Sequence, residues 1–257
     1  MKQHSKTSWQ KVGSWYDKSV GQSGHYYHQS IIIPNVLKLF DFSPQVPASL
    51  LDLACGQGVL SRHIPSHVSY TGVDAADSLI KAAKSYNPPS HHRFIKSDIC
   101  KKLNLPTAEF SHAAILLALQ NIEDPLALFK NVYEHLKPGA SFVIVLNHPC
   151  FRIPRQSSWM IDTEKKIQYR RIDSYLSPMK IPIQTHPGMG KSSPQTLSFH
   201  FPLSVLSSLL KNAGFVIDQI QEWTSDKNSE GKNAKMENRS RDEIPLFMAI
   251  VAKKIDE

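Results

Sequence analysis

Ser49-Leu-Leu-Asp-Leu-Ala-Cys-Gly-Gln-Gly58 is the stretch on which the predicted fold depends. The apolar residues around its aspartate predict a short buried strand, and the two glycines predict a tight turn after it. The apolar residues that follow fit one face of a short helix, which Pro65 ends. A strand, a glycine turn and a helix begin the ligand site of many doubly wound sheets, because bare backbone lets a ligand approach the helix N-terminus.

Asp52 is an acid inside an otherwise apolar strand. A buried carboxylate is costly unless it is paired, so this position predicts a cationic ligand group nearby. The alternative interpretation is a loop carboxylate that caps backbone amides.

Composition and charge limit the possible classes of protein. With 257 residues, of which 41% are apolar, the chain can bury one substantial core with an elaboration. Five units of its net charge of +8 fall in residues 150–200.

Three scattered cysteines do not form the pattern of a disulfide framework or a metal site, and they indicate reduced thiols. The longest apolar run, Ala113–Leu119, is too short to span a bilayer, and the N-terminus lacks the apolar core of a signal peptide. We therefore expect a soluble cytoplasmic protein without a metal.

Two further acids end predicted strands, in Tyr70-Thr-Gly-Val-Asp74 and in Arg93-Phe-Ile-Lys-Ser-Asp98. Asp74 lies 22 residues after Asp52, a distance that suits hydrogen bonds to both ribose hydroxyls of a nucleotide. Asp98 could accept a bond from an adenine amino group. Each acid alone could be a helix cap. Three strand ends in succession instead indicate one ligand-binding edge of a parallel sheet.

The rest of the chain divides into four predicted units. Residues 1–48 form an N-terminal helical and aromatic leader, 49–148 a Rossmann-like core, 149–201 an insertion after the fifth strand, and 202–257 a helix and two strands that complete the core. The insertion combines prolines, aromatics and eight basic residues without sustained periodicity, as in a lid, a binding insertion or a small subdomain. Residues 224–243 are predicted to be a solvated connector. The aromatic leader either packs on the sheet or closes over a ligand.

Four motifs resemble, in order, those of the class I S-adenosylmethionine-dependent methyltransferases. They are Leu50-Leu-Asp-Leu-Ala-Cys-Gly-Gln-Gly58, Gly72-Val-Asp74, Lys96-Ser-Asp98 and Leu136-Lys-Pro-Gly139. Within that superfamily the chain is most similar to small-molecule methylases of the ubiquinone/menaquinone-biosynthesis-like type. The resemblance implies an α/β fold with a doubly wound, mostly parallel seven-stranded sheet, and S-adenosylmethionine as the cofactor.

The resemblance also implies roles for individual residues. The methionine ammonium would be the cation for Asp52, Asp74 would hold the ribose, and bare backbone at Gly56 and Gly58 would let the cofactor pass. Ala54 stands where many relatives have glycine, which is a mild change if its dihedral angles are those of a strand. The implied cofactor-binding residues are Asp52, Ala54, Gly56, Gly58, Asp74, Ala75, Ser97, Asp98, Ile99 and Leu116.

Methyl transfer is an in-line displacement that depends on positioning and on the exclusion of water. The end of the fourth strand is apolar before Gln120, so it predicts an apolar wall rather than a catalytic polar residue. If the acceptor must lose a proton, His148 is the first candidate base, because it ends the fifth strand at the ligand edge. Other candidate bases are His28, His186 and His200. The predicted substrate residues are Tyr16, Tyr27, His28, Gln120, His148, Phe151 and Trp159.

Two alternatives to a small-molecule methyltransferase stay open at this point. An NAD(P)-dependent oxidoreductase has a similar glycine turn, but Asp52 would then face a pyrophosphate. A nucleic-acid methyltransferase or a non-catalytic binding module would use the basic, aromatic insertion as a stacking platform. An anionic or aromatic small molecule would meet the same side chains. The acceptor, the acceptor atom and the oligomeric state are not determined by the sequence.

Overall fold

The computed structural model describes residues 9, 13–184, 193 and 195–255, and His186 lies outside this part. Six α-helices occur in the described residues: α1 Gly13–Val20, α2 Ile33–Phe40, α3 Asp77–Ser85, α4 Pro125–His135, α5 Leu203–Asn212 and α6 Ala234–Glu243. The core strands are β1 Ala48–Leu53, β2 Val68–Asp74, β3 His92–Lys96, β4 Phe110–Leu116, β5 Leu136–Asn147, β10 Phe215–Trp223 and β11 Phe247–Lys254. Four further strands belong to the insertion: β6 Ser157–Asp162, β7 Ile167–Ile172, β8 Met179–Gln184 and β9 Gln195–His200.

The seven core strands form one sheet in the order β10-β11-β5-β4-β1-β2-β3. Strands β1 to β5 pair in parallel, whereas β11 runs antiparallel to both β5 and β10. The carboxyl ends of β1 to β5 therefore lie at one edge, where the chain order reverses between β1 and β4. The predicted fold class, a doubly wound and mostly parallel seven-stranded sheet with leading helices, is confirmed.

Both faces of the sheet are covered by helices, as its alternating side chains require. Leu51 and Leu53 of β1 point to the face that packs against α4 and α5. Leu50, their neighbour in sequence, belongs to the cluster on the opposite face together with α2 and α3. Burial on both faces explains why the central strands are continuously apolar.

Local signals fix the ends of several elements. The Asp124 carboxylate accepts a hydrogen bond from the Ala127 amide at 3.0 Å, and Pro125 occupies the first helical position of α4, as the sequence predicts. The predicted helix after the glycine turn is shorter than expected. It is a 3₁₀ helix, Leu60–His63, followed by an extended residue before Pro65.

The insertion after β5 is made of two antiparallel hairpins, β6–β7 and β8–β9. The strands of the hairpin β6–β7 are hard to predict because none of their residues is fully buried, so no apolar face marks them. Strand β8 does alternate, from Met179 to Ile183, but Pro182 within the run argues against a strand. Strand β9 buries polar as well as apolar side chains.

Residues 224–243 are not only a solvated connector, and that prediction is wrong for their second half, which forms helix α6. The contact of α6 with β7 is polar, since the Ser240 hydroxyl donates to the Gln168 carbonyl at 2.6 Å. A polar contact leaves no apolar periodicity to read in the sequence.

No helix in the described residues has the length and apolar character needed to cross a membrane. Cys55, Cys100 and Cys150 are free thiols.

Candidate functional site

The glycine turn between β1 and the following 3₁₀ helix is held by the carboxylate of Asp74 at the end of β2. One carboxylate oxygen accepts from the Gly56 amide at 2.9 Å and the other from the Ala76 amide at 2.8 Å. Burial raises the pKa of Asp74, and these backbone bonds oppose the shift. Each carboxylate oxygen has a further lone pair, so Asp74 can order the turn and still accept bonds from a ligand.

The two glycines of the turn have different surroundings. Both have positive φ, +57° at Gly56 and +76° at Gly58. Among the described residues, a Cβ at Gly56 would meet only the Tyr16 ring, at an ordinary contact distance of 3.7 Å, so no close packing requires a glycine here. A Cβ at Gly58 would lie 2.9 Å from the Phe94 ring and 3.3 Å from Ala83. The missing side chain at Gly58 is thus required by packing against β3 and α3, whereas only Gly56 presents bare backbone to a ligand.

Two residues other than glycine adopt left-handed backbone conformations at the ligand edge. Ala54 follows β1 with φ +54°, and Leu117 follows β4 with φ +53°. Alanine at position 54 would be a mild change only with the dihedral angles of a strand, and Ala54 does not have them. Conformations of this kind cost about 1–2 kcal/mol and concentrate at functional sites. Here they mark the ends of two adjacent strands of the sheet.

Asp52 is buried, with 3% of its surface exposed, and its partner is Tyr70 rather than a cation of the protein. The Tyr70 hydroxyl donates to the Asp52 carboxylate at 2.5 Å. Burial raises the pKa of Asp52 to about 7, the Tyr70 hydrogen bond opposes this, and the charge of Asp74 adds to it. Gly72 makes room for the pair, because a Cβ there would lie 3.0 Å from the Tyr70 oxygen.

The other predicted cofactor residues lie along the same edge. Ala75 is exposed beside Asp74, and the Ser97 amide donates to the Asp74 carbonyl at 3.0 Å. Asp98 is exposed two residues after β3, and its carboxylate accepts from the Cys100 amide at 3.1 Å, as a local cap would. Ile99 is buried in the core, and Leu116 is half-buried at the end of β4.

Helix α1 places the leader over the glycine turn. Tyr16 is the nearest side chain to the open face of Gly56. Burial, and next to it the charge of Asp74, raise the pKa of Tyr16 to about 12. Asp17 accepts a hydrogen bond from Tyr86, the residue after α3, at 3.1 Å. Tyr16, predicted to bind substrate, therefore lies on the cofactor side of the site.

The second aromatic group of the leader lies at the same edge, near the ends of β10 and β11. Tyr27 shares a hydrogen bond of 3.0 Å with Ser225, and its ring lies 5.5 Å from that of Phe247. His28 is buried and stacks on His25 at 4.0 Å. Burial, followed by the neighbouring charges, lowers the pKa of His28 to about 3, so its imidazole is neutral.

His148 has both ring nitrogens engaged. Nδ1 accepts from the Cys150 amide at 3.2 Å, so Nε2 carries the proton and donates to Glu222 at 2.6 Å. Burial lowers the pKa of His148, and Glu222 opposes the shift. The imidazole also lies against Phe151, with ring centroids 4.7 Å apart. This arrangement leaves no free lone pair on His148 to accept a proton from a substrate.

A small cleft separates the ends of β4 and β5 from the hairpin β8–β9. Gln120 and Asn147 line it from the core, Arg152 from the segment after β5, and Phe199 and His200 from the hairpin. The amide nitrogen of Gln120 donates to the Leu117 carbonyl at 2.9 Å, whereas its buried oxygen has no partner in the described part of the chain. The cleft therefore contains unused polar groups beside the ligand edge.

Several residues of this edge were missed by sequence reasoning. Tyr70 could have been suspected from its spacing to Gly72, since a glycine two residues on leaves room for its hydroxyl. No local sequence pattern indicates a role for Glu222, because it is 74 residues from its partner His148 in the sequence. Arg152 and Arg170 were counted among the basic residues of the insertion but not singled out. In the structure both guanidinium groups lie near Trp159, a predicted substrate residue.

Comparison with known proteins agrees with this geometry. A methyltransferase domain family matches residues 51–144. A structure of an S-adenosylmethionine-dependent methyltransferase from Mesorhizobium loti is 26% identical, with a TM-score of 0.66 over 86% of this chain and 96% of that one. A putative one from Listeria monocytogenes is 21% identical, with a TM-score of 0.67 over 86% and 97%.

A third structure, the glycopeptide N-methyltransferase MtfA in complex with S-adenosylmethionine, is 15% identical, with a TM-score of 0.56 over 87% and 93% of the two chains. No curated protein shows significant sequence similarity to the chain. The domain match spans β1 to β5 up to Ile144, the part that builds the glycine turn and its acids. The chain is a class I S-adenosylmethionine-dependent methyltransferase.

Proposed function

We propose that this enzyme transfers the methyl group of S-adenosylmethionine to a small molecule held beneath the insertion, as in the small-molecule methylases that its motifs resemble. The observation that supports the proposal is the hairpin β8–β9, which covers the ends of β4 and β5 and leaves a cleft of about 40 Å³ between them. A covered edge of this kind is closed to a macromolecule, and a compact acceptor enters when the hairpin moves away from the strand ends.

The residues of the glycine turn fit the cofactor. Gly56 offers an open backbone face, Asp74 keeps lone pairs for hydroxyl groups, and the carboxyl group of Asp52 can receive the methionine ammonium in place of its proton. When bound, S-adenosylmethionine supplies a methyl group on a positively charged sulfur. The half-buried Leu116 then contributes an apolar wall, which favours a reaction in which charge disperses.

We assign His148 a positioning role rather than that of a general base. Its hydrogen bonds join the segment after β5 to Glu222 near the end of β10. This junction directs Phe151 and Arg152 toward the ligand edge, where the Arg152 amide donates to the His148 carbonyl at 2.8 Å. Positioning of this sort is what an in-line displacement requires of the protein.

The basic insertion does not favour nucleic acid as the acceptor. Two guanidinium groups lie 5.2 and 5.4 Å from the centroid of Trp159, so this ring is not a free platform for a base. Lys165, Arg171 and Lys180 are each paired with a carboxylate. The two guanidinium groups beside Trp159 form a compact pair of charges rather than a stripe along a surface.

The test is transfer of a labelled methyl group from S-adenosylmethionine into extracts divided into small molecules, RNA and protein. We expect label in the small-molecule fraction with the wild-type enzyme. The Asp74→Asn variant, which weakens the turn and its acceptor oxygens, should show little transfer. Label that appears only in RNA or protein would refute the small-molecule proposal and leave the methyltransferase activity intact.

A further inference from the structure

We propose that the methyl acceptor carries an anionic group, a carboxylate or a phosphate, and that Arg152 and Arg170 bind this group beside Trp159. This inference rests on the proposed function, because it names the chemical class of the small molecule. It concerns a cluster formed by Arg152, Trp159 and Arg170, which lies beyond the end of β5 and apart from the glycine turn.

The cluster has a defined geometry. Trp159 and Arg170 are directly opposed in the β6–β7 hairpin, and the guanidinium carbon of Arg170 lies 5.2 Å from the centroid of the indole. Arg170 is fixed by hydrogen bonds from Nε to the Phe151 carbonyl at 2.7 Å and from a terminal nitrogen to Ser157 at 3.0 Å. The guanidinium carbon of Arg152 lies 5.4 Å from the same indole. Two guanidinium groups therefore converge on one aromatic ring.

Two of the three carboxylates of the insertion are paired elsewhere, and the third, Glu164, lies in the turn at the tip of the hairpin β6–β7. Asp162 pairs with Lys165 at 3.9 Å and Asp173 with Arg171 at 2.6 Å. Lys180 reaches Glu123, outside the insertion, at 2.8 Å. Over residues 13–184 and 195–255, neither arginine of the cluster has a carboxylate within ion-pair distance.

Arg152 is the less satisfied member of the pair. Its Nε is buried and has no hydrogen-bond partner in the described part of the chain. Burial, and next to it the charge of Arg170, lower the pKa of Arg152 to about 10. A half-buried guanidinium group without a counter-ion is unfavourable, and two like charges side by side increase the cost. A bound anion would remove both penalties, and a planar guanidinium fork suits a carboxylate or a phosphate.

The position of the cluster separates it from the carboxylate of the cofactor. Arg152 follows β5, whereas the glycine turn follows β1, and β4 lies between these two strands. Two strand spacings amount to about 10 Å. Arg152 also lines the cleft with Gln120 and Asn147, at the ends of β4 and β5. The anion is therefore expected on the acceptor, with its reactive atom toward the cofactor.

The experiment measures binding of three probes to the full-length protein saturated with S-adenosylhomocysteine: benzoate, phenyl phosphate and the neutral benzamide. Titrations followed by NMR detect binding in the millimolar range. At least one anion should bind about tenfold more tightly than benzamide, and the preference between the two anions identifies carboxylate or phosphate. Arg152→Met and Arg170→Met should each weaken anion binding about tenfold or more.

Arg171→Met is the matched control, since it removes the same charge from the same strand but from an exposed pair with Asp173. It should leave anion binding unchanged. Equal losses in Arg171→Met would show a general effect of net charge and overturn the proposal. So would equal binding of benzamide, or no binding of either anion to the wild-type complex.

Affinity for S-adenosylhomocysteine separates the remaining outcomes. It should stay within a few fold in the arginine variants, which also shows that they are folded. If Arg152→Met binds no S-adenosylhomocysteine, Arg152→Lys, which keeps the charge without the planar fork, takes its place. Loss of S-adenosylhomocysteine binding in both would place the arginines in the cofactor site and overturn the inference. A wild-type protein that binds no S-adenosylhomocysteine would instead contradict the proposed function itself.

Discussion

Asp52 and Tyr70 form a buried pair at the end of β1, and we expect this pair to make cofactor binding depend on pH. The pKa of the Asp52 carboxyl is raised to about 7, so the free protein keeps its proton in mildly acidic solution. A ligand ammonium favours the ionised carboxylate, so binding below this pKa must release the proton. We therefore expect the affinity for S-adenosylhomocysteine to rise by up to about tenfold per pH unit toward pH 7 and then to level off.

Calorimetry between about pH 5 and 7 measures this dependence, and buffers with different ionisation enthalpies report the released proton. Asp52→Asn should bind more weakly at neutral pH and lose the dependence. An affinity of the wild-type protein that does not change over this range would exclude Asp52 as the partner of the ammonium.

Replacing the two glycines of the turn by alanine should have different effects, one mainly on cofactor binding and the other mainly on stability. At Gly56 the added Cβ makes an ordinary contact with the Tyr16 ring at 3.7 Å, in front of the turn. Gly56→Ala should therefore weaken S-adenosylhomocysteine binding and lower the free energy of unfolding by only about 1–2 kcal/mol, from its positive φ. At Gly58 the Cβ meets the Phe94 ring at 2.9 Å, so Gly58→Ala should unfold at clearly lower denaturant concentration. Binding titrations and urea unfolding separate the two effects. A stable Gly58→Ala that merely loses cofactor would contradict the packing role.

Ala54→Gly should stabilise the protein, because alanine is strained at a φ of +54°. Relief of about 1–2 kcal/mol is partly offset by the greater freedom of glycine in the unfolded chain, so we expect a net gain of about 0.5–1 kcal/mol. Ala127→Gly in helix α4 is the control, and it should lose about 1 kcal/mol. Urea denaturation of both variants gives the sign of the change in the free energy of unfolding. Destabilisation by Ala54→Gly would show that the strain is absent.

At the scale of elements, sequence patterns predict those parts of the site whose signals are local. The glycine turn, Asp74 and the cap of α4 each depend on a few neighbouring residues, and all were found. The hairpin β6–β7 is not predicted, because its strands have no buried face. The hairpin β8–β9 is not predicted either, because Pro182 interrupts β8 and polar side chains are buried in β9. The pairing of Trp159 with Arg170 depends on a strand register that composition does not encode. The contact of α6 with β7 is polar, so no apolar periodicity in the sequence predicts it.

The hairpin β6–β7 offers a test at this scale. Replacing residues 157–172 by a short Gly/Ser linker removes Trp159 and Arg170 but no residue of the glycine turn. We expect S-adenosylhomocysteine affinity to stay within a few fold and methyl transfer to be lost. The control replaces only the hairpin tip, residues 163–166, and should keep both activities. Transfer that survives removal of the hairpin would show that the acceptor binds elsewhere.

At the scale of the whole molecule, charge is distributed unevenly, and this should appear in the salt dependence of binding. The net charge is +8, of which five units lie in residues 150–200. An anionic probe such as phenyl phosphate should bind severalfold more weakly as ionic strength rises from about 0.01 M to 0.15 M, where the Debye length shortens from about 30 to 8 Å. S-adenosylhomocysteine, whose own charges cancel near neutral pH, should show little change. Equal salt dependence of the two ligands would contradict a localised positive field at the acceptor end.

Helix α1 lies across the glycine turn, with Tyr16 nearest to the open face of Gly56 and Asp17 bonded to Tyr86. The consequence concerns turnover. At the proposed cofactor site, S-adenosylhomocysteine would have to pass this helix before a new molecule of cofactor could enter. We therefore expect the residence time of the product to depend on how often α1 moves away from the turn, so that this helix limits the rate of turnover rather than the rate of methyl transfer.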